Sequence, residues 1–149
     1  MSVTLTLAQD DDLDRLTRLV GAYHAHAGIE QDAEATRAAL EPLLGGTPHG
    51  VAYLIGPPKS PVGYIVISFG WSVTRGGLTG TVDEFFIREG VRGRGMGSEA
   101  LSRLMPALAR HGLKALHLEV PQDAPRAHAL YKRLGFRARD GRLPLTRMF

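Results

Sequence analysis

The stretch VRGRGMGSEAL, Val91 to Leu101, sets three glycines at alternate positions beside two arginines and runs directly into a helical pattern. Glycine at this density either lets main-chain N–H groups crowd around an anion with no Cβ in the way, or simply turns the chain. The spacing of Gly93, Gly95 and Gly97 does not fit the dinucleotide fingerprint GxGxxG, and no Gly-Lys-Ser/Thr follows. What remains is a glycine turn flanked by Arg92 and Arg94, with a helix opening near Gly97 or Ser98. The first turn of a helix offers unpaired N–H groups and the positive end of its dipole, so a pyrophosphate suits this corner. On residue types alone, a plain strand-to-helix turn is the other reading.

Outward from that corner, period-two runs at 51–55, 61–68 and 79–89 read as strands separated by the turns GPPKS and TRGG. Val3 to Leu7 alternates likewise. Asp10 to Asp12 then offer N-caps to a helix whose apolar face is Leu13, Leu16, Val20 and Tyr23. A second helix is expected from Asp32 to Leu44, interrupted by Pro42 and stopped by Gly45 and Gly46. After the glycine turn, Leu101, Leu104, Met105 and Leu108 mark a helix that should bend or restart at Pro106, since an interior proline costs about 3 kcal/mol. ALHLEV at 115–120 reads as a strand. Pro125 then opens a helix that Gly135 ends, with Phe136 folding back on it, and Arg137 to Phe149 is expected to form a hairpin.

That order gives an α/β chain with a mixed central sheet and helices on both faces, in which a meander is followed by a strand-helix-strand crossover. The glycine turn then lies at the C-terminal end of the VDEFFI strand, where α/β proteins place ligands. At 149 residues and 44% apolar composition, one domain over 1–149 is expected. The net charge of +3 is dispersed, which fits an anionic small ligand and argues against nucleic acid. With no cysteine, disulfides, thiolate metal sites and a cysteine nucleophile are excluded. The start turns acidic where a signal peptide is apolar, and no apolar run approaches a membrane span, so a cytoplasmic protein with no membrane partner is expected.

VRGRGMG resembles the Arg/Gln-x-x-Gly-x-Gly/Ala signature of the Gcn5-related N-acetyltransferases (GNAT), and AHALYKRLGF resembles their second hallmark, a Leu-Tyr helix ending in Gly-Phe. The segment order is similar to that family's along essentially the whole chain. VDEFFIREGVRGRGMGSEAL and YKRLG look most like the diamine (spermidine/spermine) branch. The resemblance implies a GNAT-like acyl-CoA N-acyltransferase fold, acetyl-CoA as donor, an amine acceptor and a homodimer. It implies that the backbone of Phe85, Phe86 and Ile87 pairs with the pantetheine arm as an added strand. It also implies that Arg92, Gly93, Arg94, Gly95, Met96, Gly97 and Ser98 hold the pyrophosphate. One departure stands out: Ala124 occupies the position, seven before the motif tyrosine, where the family commonly places asparagine.

Acetyl transfer to an amine needs a neutral nucleophile, stabilisation of an oxyanion and a proton for the leaving thiolate. An alkyl amine of pKa ~10.4 is neutral about once in 2,500 molecules at pH 7, a handicap of roughly 4.6 kcal/mol. Asp83 and Glu84 are the candidates to accept that proton, and strand alternation puts them on opposite faces. The resemblance matches Glu84 to the base of several family members and Asp83 to the acidic substrate contact of the diamine branch. It matches Tyr131 to the general acid; on residues alone, Tyr131 belongs to an apolar helix face with Ala127, Leu130 and Leu134. Tyr23 and His24, at the end of the first helix, and Glu119, on the 115–120 strand, are candidate acceptor contacts, and HAH lacks partners at metal spacing, so no metal is expected. The expected acceptor is a small polyamine-like or amino-acid-like amine; a protein or peptide N-acetyltransferase and a non-catalytic acyl-CoA-binding regulatory module are the alternatives.

Overall fold

The computed structural model describes residues 3–149, which divide into two compact units, the first ending at Glu119 and the second spanning Val120–Phe149. In the first, β1 (Leu5–Leu7) and a 3-10 turn lead to α1 (Leu13–Ala27) and α2 (Ala33–Leu44). The meander β2 (Gly50–Ile55), β3 (Gly63–Ser72) and β4 (Gly77–Ile87) follows, then α3 (Met96–Arg110) and β5 (Ala115–His117). The sheet order is β1-β2-β3-β4-β5, antiparallel throughout except for the parallel pair β4–β5, the expected consequence of a helical crossover.

Alternation along the strands assigns the two faces. Tyr64 and Val66 of β3 and Phe86 of β4 join Leu16, Leu19 and Val20 of α1 and Leu40 and Leu44 of α2 in one buried cluster. Phe85 and Ile87, one residue out of phase, pack instead with Val3, Ile55 and, on α3, Met96 and Ala100. Helices therefore cover both faces. Each fully buried Leu or Ile here, such as Leu16, Leu54, Ile65 and Leu101, contributes on the order of 1.5–3 kcal/mol of apolar burial. Glu99 accepts the Val3 N–H at 3.0 Å and the Arg103 guanidinium donates to the Val3 carbonyl, so α3 also clamps the chain leading into β1.

Several local expectations change. α2 and α3 both run unbroken through Pro42 and Pro106. Each proline withholds the N–H that would bond four residues back, to Ala38 and Ser102, and both of those residues are exposed to solvent. Asp12 does not cap α1 with its side chain; it accepts the Gln9 N–H at 2.9 Å and closes the 3-10 turn. Asp32 caps α2, accepting from the Ala35 N–H at 2.7 Å. β5 stops at His117 rather than 120, because only Ala115, Leu116 and His117 find partners, on Thr79, Gly80 and Thr81.

The second unit holds α4 (Pro125–Arg133), with Pro125 in its first turn where a missing N–H is harmless. Gly135 takes φ +94°, and the Phe136 N–H closes back on the Tyr131 carbonyl at 2.9 Å. That is the expected C-terminal cap. The hairpin expected over Arg137 to Phe149 is absent: no strand forms there. Pro144 sits in the middle of the candidate strand and removes a ladder donor.

Candidate active site

β4 is where the site is built, and a change of phase in that strand shapes it. Val82 pairs with Ile67 and Glu84 with Val66, so Asp83 is an inserted residue, a β-bulge. Downstream of it, Phe85 lies on the α3 face and Phe86 on the α1 face. Val82, opposite Ile67, shares the face of Ile65 and Phe85, which leaves Asp83 and Glu84 both directed to the α1 side. The expectation of opposite faces is corrected: the bulge cancels one step of the alternation and puts the two carboxylates together.

Glu84 is held by two buried donors. Its Oε1 accepts the Tyr64 hydroxyl at 2.8 Å, and its Oε2 lies 2.7 Å from His24 Nε2. Tyr64 is fully buried and His24 only 6% exposed. Desolvation first, and then the charge of Glu84, push the Tyr64 phenol far above its ordinary range, so it stays a donor. Tyr23 stands beside them, edge-on to Tyr64 with ring centroids 6.4 Å apart and tilted against Phe86 at 5.7 Å. Its phenol is raised by partial burial and then by the charges of Glu84 and Asp83. The Asp83 carboxyl reaches solvent and is nonetheless raised, by partial desolvation and then by Glu84, with His24 acting in the opposite direction. The sheet and α1 thus bring together Asp83, Glu84, Tyr23 and His24. Tyr64 was missed by sequence reasoning; the one signal was a tyrosine, with a hydroxyl to satisfy, amid the apolar run of β3.

The same strand leads into the glycine turn. β5 pairs with β4 through Thr79–Thr81, so beyond Thr81, among the described residues, β4 is laddered on its β3 side alone. Its other edge offers main-chain groups from Val82 to Ile87 to an extended ligand. Gly93 and Gly95 then take φ +79° and +75°, a conformation open to glycine and strained for other residues. α3 begins at Met96 with no side chain capping its first turn, leaving those N–H groups for a ligand. A Cβ on Gly97 would stand 3.1 Å from Cζ of Phe85, so the helix end sits close on the strand. Arg92 braces this join: its Nε donates to the Ile87 carbonyl at 2.7 Å and its guanidinium lies 5.3 Å from the Phe86 ring centroid. Arg94 and Ser98 flank the turn, Arg94 exposed and Ser98 half-buried. A free strand edge running into an uncapped helix end fits a pantetheine arm joined to a pyrophosphate, the two chemical halves of coenzyme A.

Glu119 is exposed, two residues past the end of β5. Tyr131 is half-buried on α4, its ring edge-on to Phe136 at 5.7 Å. Ala124 stands before the first turn of α4 and supplies no side-chain cap.

Residues 14–136 match the model of the acetyltransferase (GNAT) family. Among solved structures, an integron cassette protein from the mobile metagenome of Cole Harbour Salt Marsh is 33% identical. The match covers 97% of this chain and 89% of that one, with a TM-score of 0.83. A "possible acetyltransferase" from Clostridium difficile 630 shares the fold at 17% identity, with 100% and 99% of the two chains covered and a TM-score of 0.84. The ribosomal-protein-alanine N-acetyltransferase of Brucella melitensis biovar Abortus 2308 shares it at 18% identity, 99% and 100% coverage and a TM-score of 0.75.

Proposed function

Since the chain belongs to the acetyltransferase (GNAT) family, we propose that it moves the acetyl group of acetyl-CoA directly to a primary amine of a small molecule. The observation that carries this reading is the one-sided edge of β4 leading into the uncapped N-terminus of α3, with two carboxylates on the bulge beside it. When bound, acetyl-CoA supplies the acyl group as a thioester, whose C–S bond breaks as the N–C bond forms. The backbone of Phe85, Phe86 and Ile87 holds the extended arm, and the main chain from Arg92 to Ser98 holds the phosphates. A carboxylate of the Asp83–Glu84 pair takes the proton of the acceptor ammonium, Tyr23 walls the acceptor side, and Tyr131 returns a proton to the leaving sulfur. Transfer is direct because no cysteine is present to carry the acyl group.

The acidic pair favours a cationic acceptor of polyamine-like or amino-acid-like type, with Glu119 as a further anion. A thiol-release screen with acetyl-CoA against an amine panel tests the reading. Release with small amines supports it, preference for peptide N-termini would overturn the small-molecule acceptor, and coenzyme A binding without thiol release on any amine would overturn catalysis.

A further inference from the structure

Building on the acetyltransferase reading, we infer that His24 is a positioning residue which, with Tyr64, locks Glu84 in place, and that Asp83 is the carboxylate that takes the proton of the acceptor amine. His24 first looks like a pocket contact at the end of α1. Its Nε2 is engaged by Glu84 at 2.7 Å, and its Nδ1 is buried with no hydrogen-bond partner among the described residues. Without a proton on Nε2 a bare lone pair would face the Glu84 carboxylate, so Nε2 carries a proton and donates it to Glu84. Neither ring nitrogen is available to a substrate.

The same contacts hold Glu84 in place. Each of its oxygens already accepts from a buried donor, His24 on one side and Tyr64 on the other. Swinging Glu84 toward a substrate would strand both donors, at roughly 1–3 kcal/mol each. Asp83 differs in each respect: it is exposed, it sits on the bulge residue, and among the described residues its carboxylate has no hydrogen bond or ion pair. The titratable groups that influence it are Glu84 on its own strand and His24 on α1, while Tyr23 and Tyr64 sense its charge in turn. In the step assigned to it, R–NH3+ passes one proton to the Asp83 carboxylate. The amine lone pair then forms the N–C bond as the C–S bond breaks, the second proton leaving nitrogen balances the one that sulfur takes, and Asp83 releases its own to water.

The experiment is kcat against pH at saturating amine for the wild type and four variants, with the His24 side-chain N–H followed by NMR. Asp83→Asn is expected to abolish the acid limb of slope one and lower the plateau about 10²–10⁴-fold. Glu84→Gln is expected to keep the limb, moved to lower pH because a neighbouring negative charge is gone. His24→Ala should lower kcat with KM for acetyl-CoA unchanged, and His24→Gln, which restores an N–H donor, should recover most of the loss. A limb that survives in Asp83→Asn and vanishes in Glu84→Gln would overturn the assignment, as would failure of His24→Gln to rescue. The NMR arm stands apart from turnover: a slowly exchanging downfield imidazole N–H should persist in Asp83→Asn and disappear in Glu84→Ala. If no amine is acetylated the family-based reading fails, whereas loss of that N–H in Asp83→Asn, or its absence from the wild type, defeats the lock itself.

Discussion

The Tyr64 hydroxyl donates a 2.8 Å hydrogen bond to Oε1 of Glu84, between neighbouring strands and beneath α1. Tyr64 is fully buried, so water cannot readily replace its hydroxyl, and the bond is worth more broken than made. Tyr64→Phe leaves a carboxylate oxygen without its donor and is expected to cost roughly 1–3 kcal/mol. The urea midpoint should fall with the slope unchanged; an unaltered midpoint would show that the hydroxyl contributes nothing to the fold.

Asp83 should weaken the folded state at neutral pH. Its carboxyl is raised from 3.8 by partial desolvation and by Glu84, so the folded chain holds that proton to higher pH than the unfolded chain does. The stabilising contribution is present below 3.8 and is lost as pH rises through the folded value. Asp83→Asn is therefore expected to melt above the wild type at neutral pH, with the difference closing as the pH falls through the folded value to 3.8. Equal melting temperatures at neutral pH would contradict this.

Gly95→Val tests the phosphate turn. Gly95 holds φ +75° with open space where a Cβ would go, so the penalty is backbone strain of about 1–2 kcal/mol rather than a clash. Relief of that strain shifts the turn and the first N–H groups of α3. Calorimetry should show coenzyme A binding weakened about tenfold or more, equivalent to ~1.4 kcal/mol. Unchanged binding would remove this turn from the cofactor site.

Tyr131→Phe separates chemistry from packing. The ring keeps its edge contact with Phe136 in the variant. With an identified acceptor, kcat should fall about 10²-fold or more while KM for acetyl-CoA holds. A rate that matches the wild type at every pH would exclude Tyr131 as the acid.

The sequence made most of the sheet legible because period two and period 3.6 are strong signals, and the glycine turn was legible because its spacing excluded other loops. Alternation assigns Asp83 and Glu84 to opposite faces because it assumes an unbroken period, and nothing in VDEFF marks an inserted residue. Sequence makes His24 a pocket residue for the same reason, since its partner Glu84 becomes identifiable only once the bulge is placed. Pro42 and Pro106 looked like breaks because propensity cannot tell which carbonyl faces water. ALHLEV alternates to Val120, yet β5 ends at His117, because strand length is set by the neighbour and not by the strand.

The bulge also separates two things that a strand usually holds together. Val82 and Glu84 already lie on opposite faces, so excising Asp83 would return β4 to an ordinary ladder with Phe85, Phe86 and every later side chain still facing as before. The inserted carboxylate is thus dispensable to the reading frame of the sheet. A lineage could lose or regain this residue by a single-codon deletion or insertion and keep its core.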